Sequence, residues 1–68
     1  MSPEKMVHMA NQIAAFFKTQ PGGEAAESVA AHLRDFWEPR MREQLIRYVE
    51  AGGSDLDQTV IEAAVLIR

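Results

Sequence analysis

The chain has no cysteine. Disulfides, thiolate zinc sites and iron–sulfur ligation are therefore excluded. The absence matters at 68 residues, because a core of this size rarely supplies more than about 3–5 kcal/mol and buries only about 60% of the surface its unfolded chain exposes. Association with another chain is the staple that remains. Positive charge is scarce as well. A formal net charge of −3 and a pI near 5.2 argue against a nucleic-acid binder that works by neutralising phosphates. Long apolar runs are missing too: the longest, Ile13 to Phe17 and Ala63 to Ile67, are five residues each, far short of the roughly 20 a membrane span requires. Met1-Ser2-Pro3-Glu4-Lys5 has neither the basic nor the apolar region of a signal peptide. A cytoplasmic protein without membrane contact is the expectation. The hydrophobic content of 47% is too high for a disordered tail, so one small folded domain over residues 1–68 is expected.

Strand-like alternation is also lacking, and apolar residues recur at steps of three and four instead. Ser2 is a good N-cap, with Pro3 at the first helical position and Glu4 in the first turn. Met6, Met9, Ala10, Ile13, Ala14 and Phe17 then form one stripe, ended by Pro21-Gly22-Gly23. A second helix is predicted from about Glu24 to Trp37 on Ala26, Val29, Ala30, Leu33, Phe36 and Trp37. A third starts at Pro39 and runs through Met41, Leu45, Tyr48 and Val49 to Gly52-Gly53, a pair suited to a left-handed cap. Glu38 with Arg42 and Glu43 with Arg47 are acid-before-base pairs four apart, expected to add about 0.3–0.5 kcal/mol each. The fourth helix carries a capping box, Asp55 with Gln58, and Ser54 competes as its cap. Its apolar positions Leu56, Val60, Ile61, Ala63, Ala64, Val65, Leu66 and Ile67 exceed one stripe, so this helix is central in the fold or docked on something else. The fold class expected is all-α, a small bundle of three to four short helices. Its core is predicted to hold Met9, Ile13, Phe17, Val29, Leu33, Leu45, Val49 and Val60.

No constellation for catalysis is legible. His32 has Asp35 three residues on and His8 has only Asn11 and Gln12 nearby, which is too few ligands for a metal. Gly22-Gly23 precedes a helix but lacks the lysine and hydroxyl of a phosphate loop, and Glu24 and Glu27 would repel an anion there. No cofactor and no metal are expected, nor an enzymatic activity of the chain's own.

The segment with most information is Phe36-Trp37-Glu38-Pro39-Arg40-Met41-Arg42. Pro39 should end one helix and open the next, and Glu38 before it is biased away from the α region. The corner therefore gathers Phe, Trp, Met and Arg, the residue types enriched where one protein is buried against another. Four arginines, Arg34, Arg40, Arg42 and Arg47, crowd this stretch of an otherwise acidic chain, and Arg pairs bidentately with carboxylates. Phe36, Trp37, Glu38, Pro39, Arg40, Met41 and Arg42 are accordingly the candidate partner-binding residues. Two plainer roles compete, with the two rings filling a small core and the arginines lying along the surface on their apolar stems.

Two segments together resemble a known family. Ser2 to Val7, continuing through Met9-Ala10-Asn11-Gln12-Ile13-Ala14 to Phe16-Phe17, is similar to the N-terminal signature of the delta subunit of soluble NAD-dependent formate dehydrogenase, and Phe36 to Arg42 resembles its second signature. The likeness covers about the first two-thirds of the chain, and the last helix in character only. It implies a small non-catalytic accessory subunit of a cytoplasmic complex. In that complex a large alpha subunit carries the bis-pterin molybdenum or tungsten centre and iron–sulfur clusters. A beta subunit carries flavin mononucleotide and the NAD site, and a gamma subunit a further cluster. The partner implied is chiefly the large alpha subunit. Two roles stay open under the resemblance: stabilising the assembled enzyme, or assisting insertion of the molybdenum cofactor. Independently of it, a self-associating helical module, a homo-oligomer when isolated, is the third reading.

Overall fold

A computed structural model describes all 68 residues and contains four α-helices and no strand. Helix α1 spans Pro3–Lys18. The Ser2 hydroxyl accepts the Lys5 amide at 3.3 Å, satisfying one of the donors a helix start leaves free. Thr19 closes the other end, its hydroxyl donating to the Phe16 carbonyl at 2.7 Å. Helix α2 covers Ala25–Phe36 and α3 Pro39–Glu50. The link between them is only Trp37 and Glu38, both in extended backbone (ψ 137° and 153°), as the ring of Pro39 demands of the residue before it. Helix α3 ends on Gly52 and Gly53, both at positive φ. Gly53 donates to the Tyr48 carbonyl at 3.0 Å, the bond of a left-handed helix terminus. Helix α4 runs Gln58–Ile67.

The last helix is central: α4 packs against α1, α2 and α3, and α1 also packs against α2. That position accounts for its wide apolar surface. One cluster of eleven buried residues joins the elements, with Met6, Val29, Leu33, Leu45 and Val60 as its largest fully enclosed side chains. Five of the eleven are alanines (Ala10, Ala14, Ala30, Ala63 and Ala64). Small side chains let helix backbones approach at the short end of the usual interaxial range, so the core is thin and depends on a few larger residues.

Three expectations need correction. The row of α1 turned fully inward is Met6-Ala10-Ala14, whereas Met9, Ile13 and Phe17 are only half-buried. All six belong to one broad stripe, and close packing selects its narrow, small-residue edge. Val49 is likewise half-buried, while Val29, Leu33, Leu45 and Val60 are enclosed as expected. The cap of α4 is Asp57, which accepts the Thr59 amide at 2.8 Å, and not Asp55. Asp55 is instead held in the left-handed region (φ 66°). The shift has a tertiary cause. Asn11 on α1 donates to the Asp55 carbonyl at 2.9 Å and accepts the Asp57 amide at 2.8 Å, committing both backbone groups outside the helix. Lys18 adds an ion pair to Asp57 at 2.6 Å. Finally, Glu43–Arg47 pairs at 3.1 Å but Glu38–Arg42 does not, because Arg42 is engaged elsewhere.

Candidate functional site

The corner does not present its seven residues as one surface. Trp37 is 6% exposed and belongs to the core. Phe36, its neighbour and the last residue of α2, is 73% exposed: the backbone turns extended at Trp37, so the two rings leave the chain in different directions. Arg42 turns back into the protein, its guanidinium donating to the carbonyls of Trp37 and Arg34. Those carbonyls lie at the C-terminal end of α2, where a helix leaves acceptors unpaired and its dipole favours a cation. Arg34 does the same for the next helix, donating to the Leu66 carbonyl at 3.0 Å near the end of α4. Two of the clustered arginines are thus helix clamps. Met41 is half-buried against the core, and Pro39 is the exposed first residue of α3. Glu38 and Arg40 are exposed and form no ion pair.

What the corner builds instead is one end of an open, apolar groove of about 620 Å³ between α1 and α2. Met9, Ile13, Phe16 and Phe17 come from α1, His32 and Phe36 from α2, and Trp37 contributes from the core; Gln12 is the polar residue on the α1 side. Four rings step across it. Phe16 meets Phe17 edge-on at a centroid distance of 5.2 Å, Phe17 meets His32 at 6.0 Å, and His32 lies tilted against Phe36 at 4.8 Å. Such contacts are worth about 0.5–1.5 kcal/mol each beyond area burial, and they hold the exposed rings in a fixed array. Phe16 nonetheless leaves 59% of its surface in solvent.

Of this groove the sequence reading singled out Phe36 and Trp37 and placed Met9, Ile13 and Phe17 in the core. Phe16 and Phe17 in succession carry the missed signal: on one helix they cannot both point at the same core. His32 reaches the site by standing four residues before Phe36, one turn along the same face of α2. Nowhere do three histidine or acidic side chains converge as metal ligands would. The polar atoms within the core are likewise accounted for, as no buried side-chain nitrogen or oxygen lacks a partner. No helix is long and apolar enough to cross a membrane.

No curated protein matches the chain. A family model described as NADH-dependant formate dehydrogenase delta subunit FdsD matches residues 5–64, a span that includes the whole groove and the Trp37 corner. With the match running over nearly the full sequence, the chain belongs to the formate dehydrogenase delta-subunit family.

Proposed function

We propose that this chain is a non-catalytic accessory subunit that docks on the large, molybdenum-containing subunit of an NAD-dependent formate dehydrogenase and stabilises the assembled enzyme. The observation that carries the reading is the exposed aromatic groove between α1 and α2, in a chain whose family assemblies are multi-subunit enzymes. Phe36, Glu38, Pro39 and Arg40 are the members of the corner free to meet the partner, and Trp37 and Arg42 act by holding the turn in place. A cytoplasmic setting goes with a soluble electron acceptor such as NAD.

Deleting the coding sequence tests the proposal, with formate-linked NAD reduction, subunit stoichiometry and molybdenum content measured on the purified complex. A complex that dissociates while its large subunit keeps normal molybdenum supports the stabilising role. Low molybdenum in a fully assembled complex replaces that role with cofactor insertion. Unchanged activity, assembly and metal content would remove both.

A further inference from the structure

We infer that the groove takes one face of an amphipathic helix whose flank toward α2 carries lysine or arginine, supplied by another subunit and not by a second copy of this chain. The inference rests on the accessory-subunit reading and specifies the chemistry of the partner segment.

Shape comes first. The α1 wall runs from Met9 to Phe17, nine residues or about 12 Å of helix axis. A docked helix presents three anchors, at positions i, i+4 and i+7, over that distance. The groove is open along its length and bounded by two helices, which suits the rounded side of a third helix.

Charge then selects the partner. On α2, Asp35 stands three residues after His32 and one before Phe36, on the solvent side of the row that lines the groove. Glu38 follows at the corner. Both are exposed and neither has an ion-pair partner. Arg34, the one cation within α2, is turned away onto the Leu66 carbonyl. The α1 side is different: Gln12 is neutral, and Lys5 lies one turn before Met9. Arg40, also exposed and without an ion pair, follows Glu38 by two residues on α3, so the acid beside the groove row itself is Asp35, and this acidic lip sets which flank of the incoming helix must be basic. A second copy fits poorly, because each brings a net charge of −3, and a two-fold contact through this groove would set two acidic lips close together.

The experiment uses the intact complex carrying the photo-crosslinker p-benzoylphenylalanine at position 36 or, separately, at position 16, and maps the adduct by peptide mass analysis. The expected adduct lies on another subunit, in a segment with apolar residues at three- and four-residue spacing and Lys or Arg on one flank. In parallel, the double variant Asp35→Lys/Glu38→Lys is expected to bind the remaining subunits about tenfold more weakly at low salt, with the difference shrinking as salt rises and screens the lip. Its isolated helical spectrum should match the unaltered chain, since both positions are exposed. An adduct on a second copy, on an acidic or unpatterned segment, or no adduct in a complex that retains the chain overturns the inference and leaves the accessory reading standing. So does a double variant with unchanged affinity. A chain absent from the purified complex overturns both.

Discussion

Replacing Arg42 by alanine separates a helix clamp from a partner-facing arginine. In the structure its guanidinium satisfies two carbonyls, those of Trp37 and Arg34, at the end of α2. A hydrogen bond involving a charged group contributes about 1.5–3 kcal/mol, and an ordinary one about 0.5–1.5 kcal/mol, the range taken for the exposed bond. The bond to Trp37 is partly buried, whereas that to Arg34 is exposed and longer, at 3.3 Å. Taking the lower figure for each gives about 2 kcal/mol, including the favourable placement of a cation at a helix C-terminus. A protein of this length has a total stability of about 3–10 kcal/mol, so the loss is a large fraction. It should lower Tm by about 8–16 °C at the 4–8 °C per kcal/mol typical of small domains. Urea and thermal unfolding of the isolated chain, followed by circular dichroism, measure it. Arg40→Ala is the control: that side chain is exposed and has no partner, so its effect should stay within about 0.5 kcal/mol. Arg42→Lys should recover only part of the loss, because an ammonium on a flexible stem does not reproduce the planar fork. If Arg42→Ala and Arg40→Ala are equally mild, the clamp contributes nothing and the reasoning from helix-end carbonyls is wrong.

Two further outcomes follow from the contacts that seat α4. Asn11→Ala should cost about 1–2 kcal/mol, since it strands the Asp55 carbonyl and the Asp57 amide together, and amide exchange at Asp57 should quicken more than at core positions such as Leu45. The hydrogen bond from Lys18, and after it the one from the Thr59 amide, hold the Asp57 carboxyl below its ordinary value of 3.8. A depressed folded-state pKa contributes stability that is fully present above the unfolded value and fades as pH falls through the folded one. The stability gap between the unaltered chain and Asp57→Asn should therefore be constant near neutrality and close below about pH 4; a gap that widens in acid would refute the ion pair as its source.

The sequence alone determined the all-helical class and the order of the helices, because their signals are local. Ser2 and Pro3 start α1, Pro39 forces the bend before α3, and Gly52-Gly53 supply the left-handed end of that helix without steric cost. It also placed Val29, Leu33, Leu45 and Val60 in the core. It carried the family resemblance too, which the match over residues 5–64 bears out. What the tertiary structure decided involves residues distant in the chain. Asn11 moves the start of α4 by holding residues 44 and 46 positions away, and no local cap propensity contains that information. The choice of Met6-Ala10-Ala14 over Met9-Ile13-Phe17 as the inward row depends on how near α4 and α2 can come to α1, which is a property of the assembled core. The same choice leaves Phe16 outside and Phe17 half-buried, lined up with His32 and Phe36. At the corner, composition flagged seven residues together, but they span the end of α2, an extended link and the start of α3, which point their side chains in different directions. Folding sent Trp37 and Arg42 inward to hold the turn and left Phe36 at the groove, since one buried face cannot accept them all.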